Sequence, residues 1–309
     1  MNIRKADKAG SWYQANPGAL EQEIEECLAR AEEQYGRIPV LPGKRPTALV
    51  APHAGLFFSG AVAAAAFRLI QDAWGEVDTF VVFGACHRGN PQRPAIWADG
   101  SWRTPLGVIG VDSLLADLFV REGVGEANHG VHLGDNAIEL QTPFIKYLFP
   151  KARIVPIAMS PYPDSWRYGE TASRLSREHG GVVIAIASTD LTHYGESFGL
   201  MPAGVGDGAL AWTRENDTRF LEALVKVERY AIVPLAMRDH SACGAGAAAA
   251  AAGWARERGC DEGRILAYTN SYEVLPQGEA DHLVGYGSVA FDVEWEPVRN
   301  GVGMSVSCF

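Results

Sequence analysis

Five residues have side chains suited to chemistry and positions suited to meet: His53, His87, Asp190, His193 and Cys243. Four of them follow short apolar runs that read as buried strands. His53 ends TALVAPH, His87 ends FVVFGACH, and Asp190 and His193 follow VVIAIAS. Ligands of open α/β sheets bind beyond the carboxyl ends of the strands, so three strand ends deliver imidazoles and a carboxylate to one edge. A single strand-end histidine is most simply a loop residue bonded to backbone; three ends carrying such residues point to a shared site. Gathered imidazoles need a counter-charge or a metal, and neutral imidazole is the commonest metal ligand. Cys243, in HSACGAG, stands where an Ala-rich helix begins. The free amides and dipole there favour the thiolate and improve the sulfur as a ligand.

The other cysteines and histidines read as structural. Cys27 falls on the apolar stripe of the first helix, and Cys86 points away from its neighbour His87 along an extended chain. His129 and His132 read as exposed loop residues, and His179 closes a helix; His240 and His282 are left open. No GxSxG elbow or GxxxxGK[ST] loop occurs, and Gly204, Gly206 and Gly208 lack the strand-before-helix setting of a dinucleotide site. A serine hydrolase using Ser59 or Ser241 with His193 and Asp190 is a weaker reading.

The elements that must hold these residues follow from periodicity. Asn16 and Pro17 start a helix whose core face is Leu20, Ile24, Cys27, Leu28 and Ala31. A Pro-rich linker, 38–46, leads to a strand over 48–51, a helix over 59–73 and a strand over 77–83, a βαβ unit with parallel strands. A hairpin over 102–111 and helices over 112–122 and 136–148 follow. The second βαβ unit is a strand over 153–159, a helix over 164–179 and a strand over 182–187. Helices over 207–227 and 245–258 and strands over 265–269 and 284–291 complete a single α/β domain, taken as 1–309. Its central sheet is expected to be mixed, largely parallel and flanked by helices.

Composition narrows the function. Of 309 residues, 47% are hydrophobic and 21% charged, which suits a folded chain with a sizeable core. The net charge of −10 opposes general attraction to nucleic acid or anionic lipid. The opening MNIRKADKAGSWYQ has no apolar run, and no segment reads as a spanning helix. Five cysteines without a CxxC pair fit a reducing cytoplasm.

AGSWY (9–13), PHAGLFFSG (52–60), GACHRG (84–89), STDLTHYG (188–195), ACGAGA (242–247), NSYEV and VGYGSVAF (284–291) resemble, in order and from end to end, the motifs of the Memo family. Bacterial and archaeal members are called protein B of the AmmeMemoRadiSam system. The resemblance implies a fold similar to the class III extradiol dioxygenases, non-haem iron enzymes that cleave aromatic diols. It implies metal ligands at His53, His87 and Cys243, polar neighbours at Asp190 and His193, copper or iron as the metal, and radical SAM and Amme proteins as partners. One motif departs: DNAIELQTPF stands where the family has a stretch like EHSxExQLPF, so Asp135, Asn136 and Ala137 replace Glu, His and Ser. That removes an imidazole and is expected to leave the three ligands intact.

Two histidines and a thiolate make a soft site, suited to copper or zinc and tolerable for iron, whereas oxygen-activating iron enzymes usually add a carboxylate to two histidines. The first reading is therefore a metal-binding redox or metal-handling protein. The second is a metal-dependent oxidoreductase of the dioxygenase type acting on a small substrate, with His193, oriented by Asp190, moving protons as the catalytic pair. The third is a module that binds a small molecule or peptide without turnover.

Overall fold

The computed structural model describes residues 2–295; Cys308 and the end of the 1–309 domain lie outside the described residues. β1 (Ile3–Arg4) precedes α1 (Pro17–Tyr35), β2 (Lys44–Ala51), α2 (Leu56–Trp74) and β3 (Thr79–Ala85). Next come β4 (Ala95–Ile96), β5 (Ser101–Thr104), β6 (Gly107–Gly110), α3 (Ser113–Arg121) and β7 (Glu126–Ala127). Then follow α4 (Thr142–Leu148), β8 (Arg153–Met159), α5 (Ser165–His179), β9 (Val183–Ser188) and β10 (His193–Tyr194). The described chain ends with α6 (Asp207–Val225), α7 (Ile232–Asp239), α8 (Ala245–Glu257), β11 (Gly263–Asn270), α9 (Ser271–Val274) and β12 (Leu283–Glu294).

The apolar runs become the middle of one mixed sheet. Its strand order is β10-β12-β2-β9-β3-β8-β4-β7, with β11 also paired to β12. β2, β9, β3 and β8 are mutually parallel where they pair, and β12 joins β2 antiparallel. Each βαβ crossover skips a strand, since β9 lies between β2 and β3, and β3 lies between β9 and β8. β2, β9 and β3 are thus side by side, and their carboxyl ends open onto one edge. The hairpin β5–β6 stands apart, forming a small sheet with β1.

Two prolines move boundaries away from expectation. β2 begins at Lys44 inside the expected linker because Pro46, which cannot donate to the ladder, sits at the register shift of β12 between Phe291 and Asp292. The expected helix over 136–148 is a turn, a 3-10 segment (Glu139–Gln141) and then α4, because Pro143 fits only the first turn of an α-helix. The expected exposed loop residue His132 is buried instead: its Nε2 donates to the Ala95 carbonyl at 3.0 Å, between the edges of Trp97 and Trp102. Against the expectation that no segment reaches it, α2 meets the length and composition threshold for a membrane span, but 67% of that window is buried, and α2 packs on β2, β11 and β12.

The small residues of α8 have a packing reason. α8 lies on β2, β9 and β3 with α5 across it. A Cβ at Gly169 would fall on the Ala250 carbonyl, and one at Gly253 on the Trp166 carbonyl, so the two backbones touch. Gly169→Ala is expected to lower stability by about 1–3 kcal/mol, measured by denaturant midpoint, whereas Gly180→Ala, where no neighbour stands close, acts only through its positive φ.

α6 carries a fully buried carboxylate, Asp217, which accepts from Thr192 N at 2.9 Å and Tyr268 Oη at 2.8 Å. Burial pushes its pKa up to about 7, against the opposing effect of those donors. The unfolded value is about 3.9, so Asp217 supports the fold below that pH, and this support is lost as pH rises to about 7. Asp217→Asn should gain stability relative to the parent between pH 5 and pH 8, by ~2 kcal/mol in denaturant titrations; a gap that does not grow with pH would show the carboxyl to be ordinary.

Candidate metal centre

β2 runs into Pro52 and His53, β3 into Cys86 and His87, and β9 into Thr189 and Asp190. The start of α8 lies over the end of β9, where Gly244 is required because a Cβ would come within 2.7 Å of the Ser188 carbonyl and the Thr189 Cβ. One ligand atom each from His53, His87 and Cys243 lies within 4.8 Å of the others. Sγ of Cys243 is 3.3 Å from Nε2 of His53, and the two imidazole rings meet edge to face at 5.2 Å. The buried Cys27 and the half-buried Cys86 stand outside this group; the four cysteines among the described residues are free.

Hydrogen bonding settles which nitrogens are bare. Ser188 has one proton, and its Oγ donates it to the Ala137 carbonyl at 2.5 Å. Gln141 Nε2 donates to the same Oγ at 2.8 Å and to the Pro52 carbonyl at 2.8 Å, which fixes the amide's orientation. His53 Nδ1, 3.1 Å from Ser188 Oγ, therefore has to donate, and Nε2 presents its lone pair to the sulfur side. His87 Nδ1 faces Asp135 Oδ1 at 3.3 Å, and the backbone N of His87 donates to Oδ2 at 2.7 Å. Again Nε2 is left bare. A ligating histidine whose second nitrogen donates to a carboxylate or other acceptor is the usual arrangement at metal sites.

Bare toward a metal, each Nε2 carries a proton turned to the Cys243 sulfur when protons alone occupy the site. Burial opposes the Cys243 thiolate, but His53, His87 and His193 outweigh it and hold the thiol well below its usual range. The Asp190 amide also donates to Sγ at 3.3 Å. Burial likewise opposes charge on both imidazoles. Cys243 and Asp190 nevertheless raise His53, and Asp135 with Cys243 raise His87 to about 10. Asp135 itself resists burial and is held at about 2, chiefly by His87 and the Ala137 amide. Once those Nε2 protons leave, two imidazole nitrogens and a thiolate fit a soft or borderline cation.

Asp190 and His193 are both at this edge, but not as a pair. Asp190 Oδ1 accepts from the His53 amide at 2.7 Å and the Ala54 amide at 3.3 Å, and Oδ2 is 4.0 Å from His53 Nε2. His193 Nδ1 donates to the Leu191 carbonyl at 3.0 Å. Among the described residues no hydrogen bond or ion pair joins Asp190 to His193, so the expectation that Asp190 orients His193 is corrected: Asp190 turns toward the end of β2, where the His53 and Ala54 amides take its carboxylate, and His193 is held by the Leu191 carbonyl. His193 lines a cleft of about 280 Å³ with Phe198, Leu200, Met237, His240 and Cys243. His282 lies against Phe198.

Sequence reasoning passed over Asp135, Ser188 and Gln141 as partners of the ligands. Asp135 and Gln141 lie in the departing motif and Ser188 opens STDLTHYG, so the signal was an acceptor-rich loop without a stated acceptor's task. The departing motif leaves the three ligands in place, as expected, and its own residues support them: Asp135 holds His87, and Asn136 Nδ2 donates to the His53 carbonyl at 3.3 Å.

The family described as Memo-like protein matches residues 4–290. The chain belongs to the Memo family. A MEMO1 family protein of Thermococcus onnurineus is 35% identical over 94% of this chain and 99% of its own length, and one of Methanopyrus kandleri is 32% identical over 92% and 96%. An uncharacterized protein of Escherichia coli K12, JW3007, shares the fold with a TM-score of 0.52 at 12% identity, covering 80% of this chain and all of that one. The Memo motifs PHAGLFFSG, GACHRG and ACGAGA are thus the segments that bring His53, His87 and Cys243 together.

A cation must displace the Nε2 protons of His53 and His87, while the thiol is already ionised. With His87 raised to about 10 and His53 raised as well, affinity should climb by at least about tenfold per pH unit through pH 7–9, beyond the ~6.5 of an ordinary imidazole. Zinc competition titrations at pH 7, 8 and 9 check this; a plateau above pH 7 would mean that His87 is not raised or does not bind.

Proposed function

We propose that this Memo protein binds a copper or iron ion at His53, His87 and Cys243 and serves in redox chemistry or metal handling, with zinc as an alternative occupant. The carrying observation is the convergence of two imidazole nitrogens and a cysteine sulfur within 4.8 Å, each imidazole backed by its own acceptor. A bound ion would supply Lewis acidity or electron transfer. The chain's own residues do the rest. Ser188 and Asp135 hold the ring protons away from the ion, the Asp190 amide donates to the sulfur, and Asp190 fixes the His53 backbone. Free thiols and a thiolate ligand suit a reducing cytoplasm.

One observation favours a second reading, a metal-dependent oxidoreductase acting on a small molecule in a dioxygenase-like cleft. His193, its Nδ1 committed to Leu191, presents Nε2 as a proton acceptor in a cleft that also exposes Cys243. In this reading Asp190 acts through His53 and His193 moves the proton.

Anaerobic metal analysis of protein purified without a metal-binding tag, followed by competitive loading with cuprous and ferrous ions, tests the first reading. Cys243→Ala should lose most of its metal, and Cys243→Glu should shift preference toward ferrous iron, as a harder oxygen donor replaces sulfur. Full occupancy with unchanged spectra in Cys243→Ala would remove the thiolate from the ligand set. His193→Ala should keep its metal; oxygen uptake dependent on His193 would favour the second reading.

A further inference from the structure

Arg4 is the most deeply buried cation of the described chain, at 1% exposure, and it lies far in sequence from every residue of the metal centre. β1 pairs it with Trp102 of β5, and its guanidinium lies 4.3 Å over the Trp102 ring. All its side-chain hydrogen bonds go to a single loop and to Lys5 beside it. Nε donates to the His132 carbonyl at 2.9 Å, Nη2 to the Asp135 carbonyl at 2.6 Å, and Nη1 to the Lys5 carbonyl at 2.8 Å and to Glu139 Oε2 at 2.6 Å. Glu139, equally buried, also accepts from the Lys8 amide at 2.7 Å and Tyr13 Oη at 2.8 Å. Segment 3–13 is thereby clamped to loop 132–139.

That loop carries Asp135, whose carboxylate holds both the ring and the amide of His87. The two loop carbonyls aimed at the guanidinium are buried and directed inward, so the loop has this shape only when a planar donor fork fills its centre. An ammonium is a compact point charge with three donors and cannot serve the four separate acceptors that the guanidinium reaches.

We propose that Arg4, braced by Glu139, is a positioning residue of the metal centre, acting through Asp135 to aim Nε2 of His87. This rests on the reading of His53, His87 and Cys243 as a metal site. Losing a partner that orients a ligating histidine typically costs 10–100-fold in metal affinity, so Arg4→Lys should weaken cobalt(II) binding by about tenfold, with the sulfur-to-cobalt absorption shifted. The effect should shrink below about twofold in an Asp135→Asn background, since the geometry it protects is already gone.

A second readout needs no metal. In nitrogen-15 spectra of histidine-labelled protein, the Nδ1–H of His87 should exchange faster with solvent in Arg4→Lys, while that of His53, bonded to Ser188, stays as in the parent. Glu139→Gln, which keeps the volume and weakens the brace, should show the same pattern at smaller amplitude, and it serves if Arg4→Lys does not fold. A parent that takes up no cobalt would defeat the metal reading alone, and the His87 signal would then decide the clamp. Parent-like affinity with an unchanged His87 signal in folded variants, an equal loss with and without Asp135, or equal disturbance of His53 and His87 would each overturn the proposal.

Discussion

Ser188 has one proton to give, and the direction it takes governs the carboxyl edge of the sheet. The Ala137 carbonyl can only accept and stands 2.5 Å away, so it takes that proton. The Gln141 amide, fixed by the Pro52 carbonyl, supplies a donor from another side. His53 is left one option, to donate from Nδ1, and its Nε2 is the nitrogen turned to Cys243 and available to an ion. Each partner is buried, so water cannot relieve a wrong choice, and a reversed tautomer would set two acceptors against each other across 3.1 Å. The neutral hydroxyl fixes orientation without adding charge beside the ion. Asp135 fixes His87 by the same logic but with a full negative charge, which helps to raise the pKa of His87 against its burial.

How much of this is legible in sequence follows from what periodicity reports. Apolar runs report burial, so β2, β3, β8 and β9 are legible, and with them the places where His53, His87 and Asp190 leave the sheet. Cys243 is legible because a glycine-flanked cysteine before an alanine run reads as a helix start. The partners of these residues are not legible in the same way. Asp135 is 48 residues from His87, Ser188 is 135 from His53, and Arg4 is 135 from Glu139. Nothing local in a polar loop says which distant donor an acceptor serves. His132 shows the converse error: a histidine in a glycine-bearing loop has the local marks of exposure, yet two tryptophans cover it. Segment 3–13 offered no periodicity, although Arg4 and Tyr13 prove to be core residues.

The reassignment of Asp190 changes what a carboxylate contributes here. A buried aspartate beside His193 would have tuned a proton carrier. Bound instead to the His53 and Ala54 amides, it spends its charge on two backbone donors at the end of β2, and burial raises its pKa despite the imidazoles nearby. Asp190 therefore acts on the position of a ligand's backbone, while His193 keeps an independent tautomer set by Leu191. The two neighbours in sequence serve separate parts of the site, one the ion's frame and the other the cleft.

Residues 188–190 are the point through which these parts communicate. Ser188 sets the His53 ring and meets loop 132–139 at Ala137; Thr189 Oγ1 accepts from the Gly244 amide at 2.8 Å; the Asp190 amide donates to Sγ while its carboxylate holds the start of the His53 loop. Three consecutive residues at the end of a central parallel strand therefore touch the segments that carry His53 and Cys243 and the loop that holds His87. A central strand is held by neighbours on both sides, β2 and β3, so this end has little freedom to shift alone. The ligands inherit that rigidity. A larger donor in place of Cys243 has to be accommodated by moving the start of α8, since Gly244 already lies against the end of β9 and α8 is locked to α5 through Gly169 and Gly253. The short reach of a cysteine side chain is thus matched to a helix start that cannot retreat, which gives a packing reason for sulfur at this position in addition to the preference of the metal.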